Sequence, residues 1–169
     1  KFTGNETALE LAKELGTWVY HRTQTWSSST RRTVLNIEYG GMNDCLYELY
    51  AVTGEDIFAI AAHAFDEDTL FQIVASGGKN AITNRHANTT IPKFIGALNR
   101  YVTTHGKTIQ GEVVDSSKYL EYAQIFFDMV LERHTYITGD NSEWEHFGSD
   151  YILDAERTNC NCETCNAYN

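Results

Sequence analysis

An all-α fold of repeated helical hairpins is the expectation for this chain, and three observations carry it. Apolar residues recur at helical spacing in five separate stretches, no stretch reads as strand-rich, and two of the helical stretches can be laid on one another without gaps. The first stripe is Ala8, Leu11, Ala12, Leu15, Trp18 and Val19, whose steps of three and one follow one face of a helix. Met42, Cys45, Leu46, Leu49 and Tyr50 form the second, and Ile57, Ile60, Ala61, Ala64 and Phe65 the third. A shorter run, "TLFQIVA", predicts a partial helix. Ile91, Phe94, Ile95, Leu98, Tyr101 and Val102 make the fourth stripe, with Pro92 expected in the first turn behind Thr89 and Thr90, where its missing N–H costs nothing. Leu120, Ala123, Phe126, Phe127, Val130 and Leu131 make the fifth.

The repeat sets the architecture. "TGNETALELAKEL" from Thr3 aligns with "TGEDIFAIAAHAF" from Thr53, and "YAVTG" from Tyr50 matches "YVTTHG" from Tyr101, a period of about 50 residues that holds one hairpin. A hairpin cannot bury its own apolar face, so neighbours stack, as an open solenoid or as a ring closed on itself. At most three units fit in 169 residues. The chain is therefore expected to form part of a larger helical toroid.

Composition narrows the partners. With 42% apolar and 12% aromatic residues the chain is globular, and a formal charge of −10 with basic residues scattered singly, apart from Arg31 and Arg32, excludes a phosphate-neutralising stripe. No nucleic acid and no membrane are expected as partners. Apolar runs are far shorter than a span, and "KFTGNETALE" lacks the apolar core of a signal peptide. Of four cysteines, Cys45 lies in an apolar helical pattern, which predicts a buried free thiol.

The other three cysteines crowd into "CNCETC", Cys160 to Cys165, beside Glu163. Zinc takes thiolate and carboxylate ligands tetrahedrally, so Glu163 and Cys165 supply two of four. Two positions apart, they share a side only in a loop or strand-like conformation. A closed local site on Cys160, Cys162 and Cys165, or reduced, unliganded or disulfide-paired cysteines, fits the same residues. Upstream, "SEWEHFG" offers Glu143 and Glu145. His86 and Asn88 stand before a helix N-terminus, which favours polar ligands, and "EYGGMN" offers Glu38 and Asn43 beside Gly40 and Gly41. His134 and Tyr136 are expected to pack.

"IEYGGMNDCLYELYAVTG", "RHANTTIPKFIGALNRY", "RHTYITGDNSEWEHFG" and "CETCNAYN" run in that order over most of residues 36 to 169. The set resembles the catalytic domain of the zinc-thiolate β-L-arabinofuranosidases, glycoside hydrolase family 127 and its relatives. The resemblance implies an (α/α)6 barrel, of which residues 1–169 are a part truncated at both ends, hydrolysing a β-linked L-arabinofuranoside with retention. It implies zinc held by Glu163, Cys165 and a downstream cysteine pair, one of which is the nucleophile, so that this stretch alone is inactive. It makes Glu145, in E-x-F-G, the general acid/base, with Trp144 and Phe147 expected to desolvate it. By the same resemblance His86 and the "HANT" turn bind the sugar, and Asn88, Glu38 and Asn43 are candidate sugar contacts. "TGDN" and Trp144 depart from the family's usual double glycine and small residue. Another six-hairpin carbohydrate enzyme, an epimerase or lyase, would need neither zinc nor thiolate, and a non-catalytic helical binding module would not depend on Glu145.

Overall fold

The computed structural model describes residues 3–36, 40–153 and 161–169. Local chemistry sets the helix ends. Asn5 caps α1 (Glu6–Gln24) by accepting the Ala8 N–H at 3.0 Å, and His21 and Arg22 lie in its last turn, where cations suit the dipole. Ser27 caps α2 (Ser28–Leu35). Left-handed Gly41 and Gly54, at φ 79° and 72°, bracket α3 (Met42–Thr53). α4 (Asp56–His63) and α5 (Asp68–Ala75) follow, then α6 (Ala87–Thr104), α7 (Ser117–Arg133) and the short α8 (Thr164–Tyr168). The only paired strands among the described residues are β1 (Thr108–Ile109) and β2 (Glu112–Val113), an antiparallel ribbon between α6 and α7.

The chain is thus mostly helical, and the repeat is visible as structure. α3 forms a hairpin with α4, α6 forms one with α7, and α3 packs along α6. α1 lies against α4 and α5 against α7. The two aligned segments begin helices, α1 at Glu6 and α4 at Asp56. α2 carries no buried residue, which is why its polar sequence "SSTRRTVL" gave no stripe.

The stripes locate helices correctly but not always the buried side. In α1 only Gly16, Val19 and Thr23 are buried, while Leu11, Leu15 and Trp18 stand more than 60% exposed. Gly16 is the contact residue: a Cβ there would sit 2.7 Å from Leu49 and 2.8 Å from Phe58. In α7 the core takes Tyr119, Tyr122, Phe126 and Met129, leaving Phe127 and Leu131 outside. Cys45 is exposed, contrary to the expected buried thiol, because α3 turns Asn43, Leu46, Tyr47 and Tyr50 inward instead. Pro92 is the sixth residue of α6, a turn later than expected, since the helix already starts at Ala87.

Two apolar clusters form the core. Val19, Leu46, Tyr47, Phe58 and Phe65 join α1, α3 and α4. Phe71, Phe94, Phe126 and Phe147 join α5, α6, α7 and the loop beyond, with Phe94 and Phe126 stacked at 3.9 Å. Between the clusters lies a polar knot on the buried Asp66. Its carboxylate accepts from Tyr47 at 2.7 Å, Arg100 at 2.6 Å and Asn43 at 3.2 Å, while Arg100 also lies over the Tyr119 ring. Burial and the Asp66 charge hold the Tyr47 hydroxyl well above its ordinary pKa. No described helix is long and apolar enough to cross a membrane.

Candidate active site

The site is assembled where three extended segments meet beside the N-terminus of α6. Residues 84–87 pair with 145–147: the Ala87 N–H donates to the Glu145 carbonyl at 2.8 Å, Phe147 donates to Arg85 at 2.9 Å, and Asn84 donates to Phe147 at 2.8 Å. Glu143 and His146 exchange both backbone hydrogen bonds, at 2.9 and 3.0 Å, closing a two-residue hairpin over Trp144 and Glu145. The third segment joins through the Glu143–Asn161 bridge and the Cys162 N–H to the Ser142 carbonyl at 3.3 Å.

Glu145 therefore occupies a hairpin tip. Trp144 and Glu145 both have positive φ, 49° and 66°, the requirement of a type I′ turn, which ordinarily takes Asn-Gly. Two bulky L-residues in this region cost on the order of 1–3 kcal/mol each, and such strain gathers at functional positions. Phe147 is the anchor: it is buried against Phe126 and His134 and fixes the hairpin to the core. This corrects the expected desolvation of Glu145, whose side chain is 60% exposed, because Phe147 faces the core and Trp144 is itself exposed.

His86 caps α6. Its Nδ1 accepts the Thr89 N–H at 3.4 Å, which leaves Nε2, 3.5 Å from Glu145 Oε2, to carry the proton that faces the carboxylate. The His146 ring meets His86 edge-on at 5.2 Å, and its Nδ1 donates to the Trp144 carbonyl at 2.7 Å. One ring thus supports the other against the acidic tip.

A cleft of about 300 Å³ lined by Trp144, Glu145, Asn161 and Glu163 opens on the same side. Glu163 precedes α8 in extended conformation, φ −62° and ψ 129°, and Cys165 is the second residue of that helix. Of the loop or strand-like stretch expected across the pair, Glu163 is extended while Cys165 already lies in the helix. Glu163 accepts the Cys165 thiol's hydrogen bond and, with its charge, pushes the thiol pKa up, and the Glu145 charge acts in the same direction. The hairpin tip and the Glu163–Cys165 pair share one neighbourhood.

The pair also fits a metal by its chemistry. Glu163 Oε2 is buried with no hydrogen-bond partner, an oxygen left over for a cation, and thiolate with carboxylate is a zinc donor set. It is half a set. Among the described residues no group of three or more His, Cys, Asp or Glu converges on one point, and Cys160 of the alternative local site lies outside the described residues.

The remaining candidates part company with the cleft. Asn88 lies in the first turn of α6, and its side-chain oxygen is taken by Asn169 Nδ2 at 2.8 Å. Asn43 is fully buried, donating to Asp66 and to the Lys93 carbonyl at 3.1 Å, so it presents nothing to a sugar and braces α3 against α6 instead. Glu38 lies outside the described residues. His134 packs as expected, 2% exposed, 3.3 Å from Asp150 Oδ1 and edge-on to Phe147. Sequence reasoning missed His146 and Ser142. A histidine beside the predicted acid was a signal for the first, and nothing marked the second.

The class of protein comes from comparison with known families: this is a glycoside hydrolase domain. The family model described as beta-L-arabinofuranosidase, GH127 catalytic domain, matches residues 1–169, and the chain belongs to that family. No curated protein matches the chain.

Proposed function

We propose that this chain supplies the acid/base and two metal ligands of a retaining glycosidase that cleaves terminal β-L-arabinofuranosides or a closely related glycoside. The observation that carries the reading is the position of Glu145, at the tip of a strained hairpin, 3.5 Å from His86 and across a small cleft from Glu163. The family match supports a carbohydrate substrate.

In this reading Glu145 protonates the departing glycosidic oxygen and then takes a proton from water, the two tasks of the acid/base in a retaining mechanism. His86 holds the carboxylate through Nε2 and offers the site's ring face and edge to a sugar hydroxyl. Its proton position is set by the capping bond to Thr89. Trp144, exposed at the tip, provides an apolar wall for the sugar ring. Glu163 and Cys165 would hold zinc together with the downstream cysteine pair that the family resemblance implies. Bound there, zinc keeps cysteine sulfur in the thiolate form at neutral pH. The helical repeat forms part of an (α/α)6 toroid whose inner end carries these groups.

The test is the stereochemistry of the first product. The protein with its complete catalytic domain, given an aryl β-L-arabinofuranoside and followed by proton NMR, should release β-L-arabinose before mutarotation. Release of the α-anomer first, or full activity after exhaustive chelation, would reject the mechanism.

A further inference from the structure

The short helix α8 contains Asn166 and is followed by its C-cap Asn169, and both asparagines reach the segments that build the acidic tip. The buried Asn166 Nδ2 donates to Ser142 Oγ at 2.6 Å, three residues before Glu145. Asn169 Nδ2 donates to Asn88 Oδ1 at 2.8 Å and to the Asn88 carbonyl at 3.3 Å, two residues after His86. That carbonyl is available for a reason written in the sequence. Pro92 stands four residues on, has no N–H, and leaves Asn88 without its helical partner.

We infer that Asn166 and Asn169 are positioning residues that dock α8 on the Ser142 and Asn88 segments and so set the distance from the Glu163–Cys165 pair to Glu145. The inference rests on the proposed roles of those three residues. Geometry supports it: Asn166 within α8 and Asn169 at its C-cap hold the two ends of the stretch that follows Cys165. The docking also gives Asn88 a use other than sugar contact. Groups that orient a ligand from outside its coordination sphere typically change metal affinity about 10- to 100-fold when removed.

The test uses the protein with its complete catalytic domain and five variants: Asn166→Ala, Asn169→Ala, Ser142→Ala, Asn88→Asp, and the Ser142→Ala/Asn166→Ala pair. Two quantities are read, amide hydrogen exchange of the metal-free protein and zinc affinity by chelator competition. Asn166→Ala and Asn169→Ala should each speed exchange at Cys162 and along α8, leave exchange in α3 and α4 unchanged, and weaken zinc about 10- to 100-fold. The double variant should lose no more than Asn166→Ala alone, because both changes break one bond, and Asn88→Asp, which keeps the acceptor oxygen, should behave as wild type. Unchanged exchange at α8, or faster exchange with unchanged zinc affinity, overturns the positioning role. A wild-type protein that binds no zinc, with exchange at α8 still raised by the variants, defeats the zinc mechanism while the docking itself stands.

Discussion

Replacing Gly96 by alanine tests the reading of Asn43 as a brace. α3 and α6 approach so closely at this point that a Cβ on Gly96 would land on the Asn43 amide group. The amide cannot simply swing aside, since it donates to both Asp66 and Lys93 and its own oxygen accepts the Asp44 N–H at 3.0 Å. Overpacking a dense core costs about 1–3 kcal/mol, and stripping a buried acceptor of its donor costs about 1–3 kcal/mol more. Better helix propensity returns no more than about 1 kcal/mol. Gly96→Ala should therefore lose about 1–5 kcal/mol in urea unfolding followed by circular dichroism, with the slope unchanged. Combining it with Asn43→Ala should cost clearly less than the sum of the two single changes, since the clash is gone. A Gly96→Ala variant within about 0.5 kcal/mol of wild type would refute the close crossing and reopen Asn43 as a ligand-facing residue.

Asp66→Ala should cost about 3–5 kcal/mol in the same unfolding assay, because it strands the Arg100 guanidinium in the interior. Trp144→Asn should raise stability by about 1 kcal/mol, since asparagine accepts the left-handed backbone that strains tryptophan; a loss of similar size would show that the exposed ring is a packing contact. Burial holds the His134 pKa below its ordinary value of 6.5, with Asp150 opposing and Arg133 reinforcing, so the folded state binds its proton less readily than the unfolded chain. The contribution of this group is full above pH 6.5 and falls away as pH drops below it, so His134→Gln should flatten that part of the stability–pH curve.

What the sequence made legible is what periodicity encodes. Five stripes became helices and the repeat became hairpin registry, because apolar spacing and helix geometry are the same fact. The buried side was less legible. Leu11, Leu15 and Trp18 read as a core face, yet α1 approaches α3 and α4 through Gly16, a residue that leaves no mark in a hydrophobic pattern. Asn43 misled for a related reason: its setting among glycines suggested a ligand turn, while the partner that explains it, Gly96, lies on another helix. In the site, the E-x-F-G motif pointed to Glu145, but its hairpin was hidden because Trp-Glu lacks the glycine and asparagine that announce such turns. The cap by His86 was half visible, as a polar residue before a helix. Its proximity to Glu145 was not, because 59 residues of chain separate partners joined only by tertiary pairing.

The most direct measurement compares Glu145→Gln with Glu143→Gln in the protein with its complete catalytic domain. Glutamine keeps the shape and hydrogen bonding of Glu145 but cannot deliver a proton. Activity on natural arabinosides should fall by about 10²- to 10⁴-fold, with a smaller loss in the first step on an aryl arabinoside whose leaving group needs little protonation, and Glu143→Gln should be mild by comparison. Intact hydrolysis of natural arabinosides by Glu145→Gln, with activity abolished by Glu143→Gln, would contradict the assignment and move the acid two residues upstream.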